Sequence, residues 1–182
     1  SHINKKVAER LHEIFKKNRD DFEKKWDDLK LFIEYGMITE EKFYERASKF
    51  ALLKNTDSKY FTFEEYEKII KENQTDKNNT LIYLYSTDSD AQYSYIEKAK
   101  EKGYDVLLLD GQLEAHLINH LETKFKDSRF VRVDSDVVSK LIEKEDSIDS
   151  KLSEYQQDLL TVAFGSQVKK KDQFTVVASA MQ

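Results

Sequence analysis

The stretch TLIYLYSTDSDAQYSYIEKAKEKGYDVLLLD, residues 80–110, decides the fold. Its opening, TLIYLYS (80–86), is a short apolar run bounded by polar turns, which predicts a buried strand. DAQYSYIEKAKEKG (90–103) follows with helical spacing and stops at Gly103, and YDVLLLD (104–110) is a second apolar run. A strand, a helix and a strand of these lengths imply a parallel pair joined by a right-handed crossover. QLEAHLINHLETKF (112–125) continues as a helix and RFVRVD (129–134) as a third strand. The expectation is a small three-layer α/β/α subdomain over residues 57–135 with a short, mainly parallel sheet, and 104–110 as its central strand.

Working outward toward the N-terminus, Val7, Leu11, Ile14, Phe15, Phe22, Trp26, Leu29, Phe32 and Ile33 recur at intervals that mark one buried helical stripe. KNRDD (17–21) interrupts it, predicting two helices or one with a bend. Gly36 reads as the residue just past a helix end, and Thr39 as the cap of a helix through EEKFYERASKFALL (40–53). Residues 1–56 thus form a helical coil. Thr62 and Glu65 stand in capping-box register for a helix over TFEEYEKII (62–70). Toward the C-terminus, 136–150 is charged and reads as a linker or a frayed helix. KLSEYQQDLLTVAFG (151–165) is an amphipathic helix stopped by Gly165, with one strand or two after it, so 151–182 opens a further, truncated domain. The fold class is α/β, or α+β taken segment by segment.

Composition removes several chemistries. With no cysteine, the chain has no disulfide, zinc–thiolate site or thiol nucleophile. Net charge is −5 with acids and bases interleaved, which leaves no electrostatic footprint for nucleic acid or an anionic membrane. No apolar run approaches the roughly 20 residues of a membrane span, and no signal-peptide pattern opens the chain. Glycine occurs four times and proline never, where about 5% usage would give roughly nine prolines. Such a chain reads as helix-rich and as a piece cut from a longer one.

The motifs that remain carry little chemistry. Neither STDSDAQ (86–92) nor DGQ (110–112) holds the glycines that let backbone N–H groups approach phosphate. Asp88 and Asp90 serve as helix caps. Lys169–Lys171 suit a solvated turn better than a phosphate patch. His116 and His120, four apart, share a helix face as two zinc ligands would. They lack the glutamate that follows the first histidine in HExxH, and no third ligand is evident among Glu114, Glu122, His2 or His12. Catalytic, cofactor-binding and metal residues are therefore not assigned.

Order and spacing over the first 140 or so residues resemble the middle region of the ninety-kilodalton heat-shock chaperones, the family called HtpG in bacteria. KKVAERLHEIFKKNRDDFEKKWDDLKLFIEYGM (5–37) is similar to the helical segment after that region's catalytic loop, and YFTFEEYEKII (60–70) to a motif x-x-S-L-x-x-Y-x-x-R-M. NNTLIYLYSTDS (78–89) resembles K-x-I-Y-Y-I-T-x-x-S, and KEKGYDVLLLDGQLEAHLINHL (100–121) resembles K-x-K-x-x-E-V-L-x-L-x-D-x-I-D-E. YQQDLLTVAFGSQVKKKDQFTVVAS (155–179) is similar to the opening of the family's C-terminal domain.

The resemblance implies a non-catalytic fragment of an ATP-driven, homodimeric, cytoplasmic chaperone that binds partly folded client proteins. ATP and Mg would belong to an N-terminal domain, the catalytic arginine to a loop upstream of Ser1, and the dimerisation helices to a segment beyond Gln182. The piece would couple domains of its own parent chain and offer part of the client surface. In the family the helix after the VLLL strand begins with acidic residues and an aromatic. The matching positions are Glu114, Ala115 and His116, where alanine and histidine replace the second acid and the aromatic. Two other readings stay open on the residues alone: a free-standing α/β enzyme or small-ligand binder using the strand ends near Asp88 and Asp110, and a helical adaptor using the Val7–Ile33 stripe.

Overall fold

A computed structural model describes residues 2–144, which belong to one compact unit. The helix and strand expected over 151–182, and Lys169–Lys171, lie outside the described residues. The chain begins with α1 (His2–Lys17), α2 (Arg19–Lys24) and α3 (Trp26–Thr39). The predicted break falls at Asn18, whose side chain accepts the Asp21 N–H at 3.1 Å and so starts α2. Ala8, Phe22, Trp26 and Ile33 are buried, while Val7 and Phe32 are exposed at 45% and 76%. The stripe thus packs mainly on its own chain, with those two residues at its margins.

Two local expectations fail for tertiary reasons. Gly36 does not end α3, which runs on to Thr39. A Cβ on Gly36 would lie 2.8 Å from the Phe43 ring, so its smallness serves helix–helix packing rather than a left-handed turn. Thr39 does not cap α4 (Glu41–Ala47), whose cap residue is Glu40; the Thr39 hydroxyl donates back to the Tyr35 carbonyl at 2.7 Å. Nor does that helix reach residue 53. Leu52–Lys54 is a strand, β1, paired antiparallel with β2 (Tyr60–Thr62) in the register Leu53↔Phe61. Asn55 closes the hairpin, its Oδ1 accepting from the N–H groups of Asp57 and Lys59 at 3.1 and 2.9 Å.

Thr62 then caps α5 (Phe63–Ile70) in a full capping box with Glu65. The Arg19 guanidinium also meets that carboxylate, at 2.8 Å, and ties the coil to the first turn of α5.

The parallel layer forms as expected from β3 (Leu81–Ser86), α6 (Tyr93–Glu101), β4 (Val106–Leu108), α7 (Glu114–Lys124) and β5 (Ser128–Arg132). Gly103, at φ +77°, ends α6, with the Tyr104 N–H reaching back to the Ala99 carbonyl at 3.0 Å. Strand order is β4-β3-β5, all parallel, in the registers Leu84↔Val106 and Tyr83↔Phe130. The central strand is therefore β3, and 104–110 supplies a flanking one: the chain returns through α7 to the far side of β3. Tyr83, Leu107 and Phe130 face α7, α5 and the coil; Ile82, Leu84 and Val106 face α6 and α8 (Val138–Leu141). These two cores on opposite faces of one sheet make the three-layer α/β/α arrangement.

Candidate contact site at the start of helix α7

The segment after β4 builds the candidate site. Leu109 remains buried, and its N–H donates to the Ser86 carbonyl at 2.8 Å. The chain then turns through Asp110 and Gly111 into α7. Glu114, the first residue of the helix, folds back so that Oε1 accepts the Gly111 N–H at 3.1 Å. A Cβ on Gly111 would sit 2.7 Å from that oxygen, so the Asp-Gly pair makes room for a carboxylate of its own chain.

Two further charged groups, Lys30 and Glu34, converge from α3, whose residues 26, 30, 33, 34 and 37 share one face. Lys30 Nζ lies 3.2 Å from Asp110 Oδ1 and 3.8 Å from Glu114 Oε1. Burial pulls the Lys30 ammonium down, but the hydrogen bond and charge of Asp110, with Glu114 and Glu34, outweigh it and hold it above its ordinary value. Glu34 is only 6% exposed, and its carboxyl is pushed up to about 7, chiefly by burial and then by the Glu114 charge, against the pull of Lys30. Glu114 is 5% exposed and is raised by burial, opposed by Lys30 and the Gly111 N–H. Its Oε2 is buried without a hydrogen-bond partner. Trp26, Met37, Leu53 and Leu117 complete the walls of a cleft of about 20 Å³, space for one water-sized group.

Of the three residues expected to make contacts, the structure separates one from the other two. Glu114 points inward to the cleft, whereas Ala115 and His116 are exposed on the outer side of α7. His120 does not join His116: its ring packs edge-on against Tyr44 at 5.1 Å, and burial, then Lys124, lower its pKa. Among the described residues no three histidine or acidic side chains are grouped to hold a metal.

At the other strand end, Asp88 accepts the N–H groups of Asp90 and Ala91 at 3.1 and 3.0 Å. There the Ser86 hydroxyl donates to Gln92 Oε1 at 2.7 Å, and Gln92 also accepts the Thr87 N–H at 3.0 Å. The mouth of β3 is filled by its own side chains. Lys30 and Glu34 escaped the reading of the sequence, although a lysine and a glutamate within an apolar helix face were the available signal.

Fold and site together are a helical coil on a small parallel layer, with a narrow cleft of buried charges where α3 meets the start of α7. The family model for Hsp90 proteins matches residues 1–181, and the chain belongs to the Hsp90 family. The chaperone protein HtpG of Bacteroides thetaiotaomicron is 54% identical over all of this chain, which corresponds to 27% of that protein. HtpG of Porphyromonas gingivalis is 50% identical over 94% of this chain and 25% of its own. The chain thus spans about a quarter of the length of the curated relatives it matches. The middle domain of a Plasmodium falciparum heat shock protein superimposes with a TM-score of 0.58, covering 74% of this chain and 56% of that one at 16% identity.

Proposed function

We propose that this chain is the end of the middle segment of an ATP-dependent chaperone, serving interdomain coupling and contact with partly folded client proteins. Ala115 and His116 form the outward part of the contact surface and Glu114 its buried edge. ATP, Mg and the catalytic arginine belong to parts of the parent outside these residues, as does homodimerisation; the parent works in the cytoplasm. Within the chain, 1–56 is the helical coil, 57–135 the α/β subdomain, 136–150 a linker that starts with α8 packed on that subdomain, and 151–182 the beginning of the C-terminal domain.

One observation carries the reading. At the end of β4 the molecule offers exposed side chains beside a cleft too small for a nucleotide or metabolite, and such a surface suits protein contact. The test is binding of reduced, carboxymethylated lactalbumin, a permanently unfolded protein, to the chain. Weak binding is expected, lost in Ala115→Arg and His116→Glu variants that remain folded. ATP should be neither hydrolysed nor tightly bound. Tight nucleotide binding, or client binding indifferent to both substitutions, would overturn the assignment.

A further inference from the structure

The cleft between α3 and α7 has charges that its own residues do not balance. Lys54 is committed to Asp27 at 3.0 Å, and Lys30 makes its two short contacts with Asp110 and Glu114. Those two amines face four carboxylates: Asp27, Glu34, Asp110 and Glu114. What remains is Glu34 and the second oxygen of Glu114, which is buried, lines the cleft and accepts no hydrogen bond. An unpartnered buried carboxylate oxygen is costly unless something arrives to meet it.

The shape narrows what that is. The cleft is narrow, about 20 Å³, and a compact ammonium point charge suits it better than a planar guanidinium fork. Trp26, Met37 and Leu53, all buried, give the cleft an apolar lining beside its carboxylates, against which the methylene stem of a long amine would pack while its head reaches them. Leu31, Phe32 and Tyr35, exposed at 42%, 76% and 61%, lie on the side of α3 turned away from the cleft, so that apolar surface is separate from it.

We propose that this cleft receives a lysine side chain carried on an apolar stretch of an unfolded client, its ammonium bridging Glu34 and the free oxygen of Glu114. The inference rests on the client-contact reading of this surface and names the side chain it selects. Ala115 and His116 give general contact; the cleft adds a preference for one cation. Capture of the ammonium is charge-assisted and partly desolvated, so it weakens with salt less than an exposed pair does.

The experiment titrates the ¹⁵N-labelled chain with three capped heptapeptides of leucine, valine and alanine. They differ only at the central residue: lysine, acetyl-lysine or norleucine. The lysine peptide is expected to bind at least tenfold more tightly than either twin and to shift the Gly111 amide and the Trp26 indole N–H. That preference should vanish in Glu34→Gln and in Glu114→Gln; Glu34 accepts no hydrogen bond from the backbone of α7, so its variant is expected to fold normally.

Equal binding of the three peptides, or an unchanged preference in both variants, overturns the proposal. So does a water that stays bound beside Gly111 when the lysine peptide is added. If all three peptides shift Ala115 and His116 equally, the lysine proposal falls and the contact reading stands. If neither the peptides nor unfolded lactalbumin bind, the contact reading falls with it.

Discussion

Two carboxylates, half-buried Asp105 and buried Glu114, flank the same strand at opposite ends, and the molecule treats them differently. Asp105, just before β4, accepts Asn55 Nδ2–H and the Tyr66 hydroxyl, each at 2.9 Å, while its own N–H donates to Gln74 Oε1 at 2.6 Å. Gln74 passes the chain on to the Ile82 carbonyl at 2.8 Å. Hairpin, α5 and the parallel sheet are pinned at one point, with every partner answered. Glu114, just after β4, shares one lysine, holds one backbone N–H and leaves an oxygen unanswered. Burial raises both carboxyls, and beyond the greater depth of Glu114 the two differ in what meets them. A saturated network fixes the fold; an unsaturated one costs stability, and the proposed lysine would complete it.

The contrast breaks most visibly at the saturated end. Tyr66 is fully buried and touches both the polar pin and the aromatic core, with the Tyr83 ring 5.9 Å away. Tyr66→Ala should cost about 3–5 kcal/mol, from the cavity and from the donor lost to Asp105. Urea unfolding of the chain, followed by far-ultraviolet circular dichroism, measures it. A loss below about 1 kcal/mol would mean that the junction is not a keystone of the fold.

Much of this architecture was legible before the structure. The strands around 80–86 and 104–110 announce themselves because buried parallel strands are short apolar runs between polar turns. The capping box at Thr62 and the stop at Gly103 are local chemistry, which sequence carries directly. The β1–β2 hairpin was not legible, since Ala51-Leu52-Leu53-Lys54 has good helix formers and only pairing with Tyr60–Thr62 makes it a strand. Gly36 misled because glycine past an apolar stripe signals a helix end, whereas the Phe43 ring that needs the space lies on another helix. Strand order depended on which side of β3 the chain returned, and no short-range pattern encodes that. At the site, Ala115 and His116 could be picked out by position, but the inward turn of Glu114 onto Gly111 and Lys30 could not. That conformation is set by α3, some 80 residues earlier in the chain as counted from Lys30 to Asp110.

At the unsaturated end the comparison sharpens through pH. Glu34 titrates near 4.5 in the unfolded chain and at about 7 in the folded one. Between those values the native state holds more protons than the unfolded state. Its contribution is therefore fully present below about 4.5 and is lost as pH rises through about 7. Stability should fall by on the order of 2 kcal/mol between pH 5 and pH 8, and Glu34→Gln should flatten that slope and be the more stable form at pH 8. Urea midpoints at the two pH values decide it; a slope unchanged by the substitution would remove Glu34 as its source. Glu65 supplies the opposite sign in the same molecule. The Arg19 hydrogen bond, working against burial, holds it at about 2, so its contribution is lost only as pH falls from 4.5 toward that value.

The smallest effect on stability belongs to the residue proposed to act outward. His116 is exposed, so His116→Trp should leave the unfolding free energy within about 0.5 kcal/mol. Tryptophan adds a large, rigid apolar face at a surface proposed to hold unfolded segments, and binding of client by the full-length parent should tighten several-fold. Fluorescence anisotropy of labelled, unfolded lactalbumin reads the change. Glu114→Trp should do the reverse: it forces a bulky ring against Gly111 and Lys30 and loses stability without gaining contact. If the two substitutions behave alike, the inward and outward halves of this helix start are not the separate devices their burial makes them.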